Sequence, residues 1–223
     1  MRTVVTLLRK DLLLELRALE TVPAMILFSV VTFVIFHFAL NRATIDGQLA
    51  AGVLTATLLF ASMLAINRLF VAEREQGGFD GFLLAPVERN ALLVAKSAAL
   101  YMFLAVLELI AVPAFGVLLL GPSLGPALLG LIGVLALADA ALAVVGTLVS
   151  AIAVHTRARE VIGPVVGLPL LIPALIATAR AAGPLLAART SGTPPGKWMA
   201  FLGLYDLVFA LLAYAVFDFL LED

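Results

Sequence analysis

Six stretches of this chain are each long and apolar enough to cross a lipid bilayer, and this repetition constrains the fold more than any other feature. An α-helix rises about 1.5 Å per residue, so about 20 mainly apolar residues are needed to cross roughly 30 Å of hydrocarbon. The predicted spans are residues 22–40, 49–66, 97–120, 127–154, 161–179 and 199–221. Because 63% of the 223 residues are hydrophobic, we predict an all-α, polytopic membrane protein with six transmembrane helices.

The spans leave little sequence outside the bilayer. We predict an N-terminal segment, residues 1–21, followed by a six-span membrane domain, residues 22–223. The longest connections are residues 67–96 and 180–198, which are too short to fold as an independent enzyme or receptor domain. The chain has no cysteine, which excludes disulfides, thiolate metal sites and thiol catalysis.

The distribution of lysine and arginine among the loops predicts the orientation of the chain in the membrane. If the N-terminus is cytoplasmic, ten of the fourteen lie on that side, leaving outside only Arg42, Arg180, Arg189 and Lys197. Positively charged loops are retained in the cytoplasm, so both termini are predicted to be cytoplasmic. Segment 180–198 carries three positive charges on the outer side, against this rule, and is predicted to be a periplasmic interfacial or re-entrant segment.

The N-terminal segment has the spacing of an amphipathic helix, because its apolar residues recur every three or four positions. This apolar stripe consists of Val5, Leu8, Leu12, Leu16 and Leu19. Basic residues gather on another face, namely Arg2, Arg9, Lys10 and Arg17. Two interpretations remain open: an elbow helix in the cytoplasmic interface with its bases near anionic headgroups, or a helix packed on the protein's own spans.

The loop at residues 67–96 is charged and interrupted by glycine and proline. Gly77 and Gly78 permit a turn, and Pro86 ends whatever helix follows them, so one short helix is predicted at residues 79–85. Its Phe79, Phe82 and Leu83 share one face, flanked by the charged residues Glu73, Arg74, Glu75, Asp80, Glu88 and Arg89. This face either docks in a groove of another protein or sinks into lipid and the ends of the spans.

Ionisable residues inside the spans are rare and costly in hydrocarbon. Glu108 and Asp139 lie near the centres of spans three and four, where they are expected to pair through one shared proton, bond to backbone or hydroxyl groups, or mark a polar path. His37 lies near the outer end of span one and His155 at the inner end of span four, so the two histidines cannot bind the same iron. Each is interpreted as a packing residue, and no metal ligand set is predicted.

The fifth span concentrates helix-breaking residues, namely Gly163, Pro164, Gly167, Pro169 and Pro173. Each proline removes a backbone donor, so we predict a bent or broken helix, which in transporters often lines a cavity. The alternative is a kink that neighbouring helices absorb.

Two other functional classes are kept as alternatives. Glu108 and Asp139 fit a proton-coupled secondary transporter, although no internal repeat is detected. Tyr205 and Asp206, with Asp139 as a second acid, superficially resemble an intramembrane aspartyl protease, but Asp206 is placed toward one end of its predicted span and no G-x-G-D sequence follows. The sequence also contains no G-x-x-x-x-G-K-[ST] motif for nucleotide phosphates, so this chain is not expected to bind ATP.

Several motifs resemble a known family. EREQG at residues 73–77, followed by the short predicted helix and Pro86, resembles the loop between spans two and three of type 2 ABC exporter permeases. NRLF at residues 67–70, AK at 95–96 and LPLLIP at 168–173 narrow the resemblance to the CcmB family of haem-exporter permeases. The resemblance covers most of the chain in span order.

The resemblance implies a non-enzymatic permease subunit of the bacterial inner membrane. It implies a separate ATPase subunit, CcmA, which binds the ATP, and the membrane partners CcmC and CcmD. The complex would handle haem, release the haem-loaded chaperone CcmE, and contain two copies of this chain; no nucleic acid partner is implied. A type 2 exporter permease for another substrate remains the alternative. By the resemblance, residues 79–85 form the coupling helix, and the expected ATPase contacts are Glu73, Arg74, Glu75, Gly77, Phe79, Asp80, Phe82, Leu83, Pro86 and Arg157.

Overall fold

The computed structural model describes residues 2–40, 44–70, 89–121, 124–154, 159–187 and 194–220, which form seven α-helices. These are α1 (Arg2–Ala18), α2 (Thr21–Ala39), α3 (Gly47–Arg68), α4 (Arg89–Phe115), α5 (Leu124–Val154), α6 (Arg159–Leu185) and α7 (Gly196–Leu220). A π-helical segment, Gly116–Leu120, continues α4. Within the described residues, α2 to α7 are long and apolar enough to cross a membrane, which confirms the prediction of an all-α polytopic membrane protein.

Helix α6 differs most from its predicted span. It runs as one helix from Arg159 to Leu185, with Pro164, Pro169, Pro173 and Pro184 inside it, so of the predicted bent or broken helix the break is excluded and the bend stays a prediction. It also extends beyond residue 179 into the segment predicted to be interfacial or re-entrant. Prolines are tolerated in membrane helices when neighbours compensate for the lost backbone bonds, and α6 is packed closely against α3 and α5.

The bundle has a central helix and two peripheral ones. Most of the α3 surface is buried against α2 and α6, and the edge-to-face rings of Phe33 and Phe115, 5.4 Å apart, join α2 to α4. In contrast, α2 and α7 expose long apolar side chains such as Phe38 and Leu211. An apolar surface of this extent is compatible with lipid or a partner protein around the bundle.

Helix α1 packs against α4, which agrees with the interpretation of a helix packed on the protein's own spans. Asp11 is buried on the packed face and Leu8 and Leu12 of the stripe are half-buried, whereas Val5 and Leu16 are 63% and 68% exposed. The interpretation of an elbow helix in the membrane interface stays a prediction.

A tight elbow joins α1 to α2. Leu19 has a φ of 50°, a left-handed conformation that an L-residue other than glycine adopts only at a cost. The carboxylate of Glu15 accepts hydrogen bonds from the backbone N–H groups of Thr21 and Val22, at 2.8 and 2.7 Å. Because the first N–H groups of a helix have no partner within that helix, Glu15 caps α2 from the neighbouring helix.

Glycine allows α5 to approach its neighbours closely. A β-carbon at Gly146 would lie 2.7 Å from Cδ1 of Ile66 and 3.1 Å from Cδ2 of Leu100, and both side chains are fully buried. Small residues are typical of such contacts between membrane helices, because they let two backbones come together.

We expect Gly146→Ala to lower the free energy of unfolding by about 1–3 kcal/mol, because the added methyl group overpacks the contact with Ile66. The matched control is Gly203→Ala in α7, where no atom lies within 4 Å of the added carbon. The control should gain about 0.5–1 kcal/mol from higher helix propensity. Denaturant unfolding of the two variants in detergent micelles measures both effects, and changes of equal sign would contradict this account of the packing.

Candidate functional site

A buried lysine lies where the chain leaves the bundle for the loop between α3 and α4. Lys96, in the second turn of α4, is only 3% exposed. Its ammonium donates a hydrogen bond to the carbonyl of Leu69 at 2.9 Å, contacts a carboxylate oxygen of Asp11 at 3.1 Å, and lies 5.3 Å from the ring centre of Phe70. One cation thus holds the end of α3, the beginning of α4 and the middle of α1 together.

The two salt bridges of Asp11 differ in their surroundings. Its carboxylate is 9% exposed and also contacts the ammonium of Lys10 at 3.3 Å, but Lys10 lies at the surface. Exposed pairs contribute little to stability, about 0–1 kcal/mol. Removing one partner of a buried pair costs about 3–5 kcal/mol, because the other charge is left buried without compensation. The Lys96–Asp11 contact is therefore the one that fixes α1 on the bundle.

Other helices bind the last turn of α3 as well. The Ser150 hydroxyl of α5 donates to the carbonyl of Ile66 at 2.9 Å, and Arg68 forms an exposed 2.8 Å salt bridge with Glu20 in the elbow. Gly163 of α6 has no room for a side chain, because the carboxamide oxygen of Asn67 occupies the position of its β-carbon. We call residues 66–70, with Lys96 and Asp11, the loop base.

The residues predicted to contact an ATPase lie outside the described residues. They are Glu73, Arg74, Glu75, Gly77, Phe79, Asp80, Phe82, Leu83, Pro86 and Arg157, and the predicted helix at residues 79–85 lies there too. Along the chain, the first nine are flanked by residues 66–70 and the first residues of α4, and Arg157 is flanked by α5 and α6.

The two acids predicted near the membrane centre meet in the structure. The side chains of Glu108 on α4 and Asp139 on α5 are hydrogen-bonded to each other, and Asp139 is 4% exposed. An ionised carboxylate only accepts hydrogen bonds, so a bond between two carboxyl groups requires a proton on one of them. This contact is compatible with the predicted pair sharing one proton, which stays a prediction, and the Oε1 atom of Glu108 is buried without a partner among the described residues.

A small cavity borders this pair. Side chains from α3, α4, α5 and α6 line it, including the hydroxyl-bearing Thr55 and Thr178, and its volume is close to the smallest that can hold one water molecule. The Thr178 hydroxyl donates to the carbonyl of Ala174, one turn earlier in its own helix. The cavity is far too small for a haem and its lining is mainly apolar, so it is a small gap in the packed core beside the acid pair.

Asp206 is a further acid of the interior and lies nearer the middle of its helix than predicted. The predicted span starts at residue 199, but α7 begins at Gly196, so Asp206 lies near the middle of the helix. Both of its carboxyl oxygens are buried without a hydrogen-bond partner among the described residues, and Tyr101 of α4 is within electrostatic range. Its neighbour Tyr205 donates to the carbonyl of Leu170 at 2.6 Å and so joins α7 to α6.

His37 lies at the opposite end of the bundle from the loop base. Its Nδ1 is 2.5 Å from the carbonyl oxygen of Leu118, in the π-helical segment. Because a carbonyl only accepts hydrogen bonds, Nδ1 is the protonated nitrogen. The backbone N–H of Ile45 donates to the neighbouring carbonyl of Leu119 at 2.8 Å. This histidine thus fastens α2 to the irregular end of α4, as a packing residue would.

The hydrogen bond between Glu108 and Asp139 gives a prediction for stability. We expect Asp139→Leu to lower the free energy of unfolding by about 1–3 kcal/mol, because it leaves the buried Glu108 carboxyl without its partner. Asp139→Asn keeps a donor at the same position and should retain most of the stability. Unfolding in detergent micelles compares the two variants, and equal stability would mean that the pair contributes nothing to the fold.

Comparison with known proteins identifies the family. The sequence matches the family described as "CcmB protein" over residues 2–219. It is 31% identical over 171 residues to Heme exporter protein B of Rhodobacter capsulatus, covering 76% of this chain and 78% of that protein. Identity is 29% to Heme exporter protein B of Paracoccus denitrificans (76% and 74% covered) and 28% to that of Bradyrhizobium diazoefficiens (94% of each). The chain belongs to the CcmB protein family.

Proposed function

We propose that this chain is the membrane permease subunit of a haem-export complex, and that a separate ATPase drives it by binding the loop between α3 and α4. The family match over residues 2–219 is the observation that carries the proposal. The names of the three relatives support the substrate class. By this proposal the loop and both termini are cytoplasmic, and the membrane is the bacterial inner membrane.

The loop base supports the ATPase part of the proposal. A force applied to a flexible loop displaces only the loop. A force applied to a loop whose two ends are fixed also moves the helices that carry those ends. Here Lys96 joins the end of α3 to the beginning of α4, and Ser150 joins α3 to α5. Because α3 is the central helix, a displacement arriving at the loop base reaches most of the bundle.

The carboxyl pair is compatible with ATP, rather than a proton gradient, as the energy source. Glu108 and Asp139 bond to each other in a packed core, which is the arrangement of a structural pair rather than of a chain of proton carriers. We propose that ATP bound to the partner subunit supplies the energy and that the pair holds α4 to α5. Under the proton-coupled alternative, a stable Asp139→Asn variant would lose transport altogether.

The assembly is part of the same proposal. The partners are CcmA as the ATPase, CcmC and CcmD as further membrane subunits, and the chaperone CcmE, whose haem-loaded form the complex releases. A second copy of this chain completes the permease, and the exposed apolar faces of α2 and α7 are available to lipid and to these membrane partners. Haem is handled by the complex, and no cofactor is assigned to this chain.

The docking proposal is tested by replacing Phe79 and Phe82 with aspartate. We expect the ATPase to stop co-purifying with the membrane protein, because two carboxylates would have to enter an apolar groove. The matched control is the double leucine variant, which keeps the face apolar and should retain the ATPase. Membrane insertion should be unchanged in both, and an ATPase that still co-purifies with the aspartate variant would contradict docking at this face.

His37 gives a second test, which separates packing from haem binding. We expect His37→Ala to leave the yield of cytochrome c unchanged, because its ring is used in a bond to the backbone of Leu118. The variant should lose only the stability of that hydrogen bond, about 0.5–1.5 kcal/mol. A large fall in cytochrome c yield with normal amounts of the membrane protein would instead assign His37 a role with haem.

A further inference from the structure

Helix α1 is attached by polar contacts both to the loop base and to the first span. At the loop base, Asp11 contacts the buried ammonium of Lys96 at 3.1 Å. One turn further along α1, Glu15 accepts hydrogen bonds from the first two N–H groups of α2, at 2.7 and 2.8 Å. Asp11 and Glu15 are four residues apart and so lie on the same helical face.

We propose that Lys96 and Asp11 form a mechanical link through which a displacement of the loop reaches α2 by way of α1. Lys96 is a positioning residue in this proposal, since it acts through the segments that it holds together. The inference rests on the proposed function, because it requires that an ATPase moves the loop.

The first step of the argument is the position of the ammonium. Lys96 belongs to α4, donates to the carbonyl of Leu69 just before the loop, and holds the carboxylate of α1. Water could replace these bonds if the site were open, and the three segments would then separate at little cost. Because the ammonium is only 3% exposed, water has little access to replace these bonds, so separating the segments costs more than it would at an open site.

The second step is the short connection between α1 and α2. Only Leu19 and Glu20 separate the two helices, and Leu19 is already in the left-handed conformation. A two-residue connection has no slack to take up a movement of α1. Glu20 also forms a salt bridge with Arg68 of the loop base, at 2.8 Å, but both side chains are exposed, so this contact adds little to the link.

The third step is the freedom of α2 to respond. Among the six spans, α2 has the smallest buried share, and most of its surface faces outward from the bundle. A helix with few contacts on the core moves at lower cost than α3, which is buried on most sides. The link through α1 therefore ends on the span that resists displacement least.

The proposal is tested in the complex of this chain with its co-purified ATPase in nanodiscs. The chain has no cysteine, so spin labels can be placed at Leu27→Cys on α2 and Leu211→Cys on α7, both of which are exposed. We expect the distance between the labels to shift when the ATPase is trapped with nucleotide and vanadate. In Asp11→Asn, most of that shift should be lost while the ATPase still co-purifies.

A matched control and a second variant keep the test decisive. Lys10→Met removes the exposed cation from the same carboxylate and should keep the full shift. Asp11→Leu combined with Lys96→Met replaces the buried charges by apolar side chains, which leaves no unpaired charge if Asp11→Asn proves unstable. A folded form of this double variant should also lose most of the shift.

The outcomes separate the two proposals. If the labels do not move in the otherwise unaltered complex, or if the shift survives in the Asp11 variants, the link through α1 is overturned while the proposed function stands. A merely structural role of the salt bridge would lower the yield of complex but leave the shift per assembled complex intact, which also overturns it. If no ATPase co-purifies with the unaltered chain, the proposed function itself has failed.

Discussion

Hydrocarbon offers no hydrogen-bond partner, so each polar group that this chain takes into the membrane must find one within the protein. Most of the described buried polar side chains follow this constraint in two ways, although the carboxyl oxygens of Asp206 and the hydroxyl of Ser29 have no partner among the described residues. Buried threonines such as Thr57, Thr147 and Thr178 donate to carbonyls one turn earlier in their own helices. Others form hydrogen bonds between helices. These bonds help to determine which helices are neighbours, because separating two helices joined in this way leaves a polar group unpaired.

The bonds between helices are distributed in a way that bears on function. At the loop base, Lys96 and Ser150 bind backbone carbonyls at the end of α3. At the opposite end, His37 and Ile45 bind carbonyls of the π-helical segment. Between these ends apolar contacts predominate among the described residues, and the acid pair and the hydrogen bond from Tyr205 to the carbonyl of Leu170 are the polar exceptions. The middle is therefore held mainly by apolar packing, together with these two polar contacts.

The buried salt bridge at the loop base is not explained by stability alone. Replacing a buried ion pair by apolar residues of similar size is often neutral or even stabilising, since the desolvation of both charges is avoided. What the pair supplies is geometry: an ammonium has three donors and is satisfied only when its acceptors are in place. Lys96 thus specifies one arrangement of α1, α3 and α4. Apolar contacts between leucines are not directional and would not specify a single arrangement.

The sequence predicts the six spans well, but it predicts less well where helices end and which polar residues are buried together. Apolar length alone locates each span, because the cost of exposing backbone to lipid leaves the chain no other structure. The ends are less predictable: α6 continues past its predicted end despite its prolines, since packing against α3 and α5 outweighs local propensity. Asp11 was not predicted to be buried, because a charged residue beside Lys10 in an amphipathic helix is typical of a solvent-exposed face.

The pairing of Glu108 with Asp139 was one of several options from the sequence, and only the packing of α4 on α5 selects it. The same packing determines where α2 is held along its length. Glu15 caps its first turn, Phe33 meets Phe115 further along, and His37 binds the carbonyl of Leu118 near its end. Two of these three attachments lie on α4 or its continuation, so α2 and α4 are joined from the middle of the bundle to the end opposite the loop. By the proposed link, a movement of α1 that reaches α2 also acts on the π-helical segment, and π-helical turns are irregularities that frequently occur at functional sites.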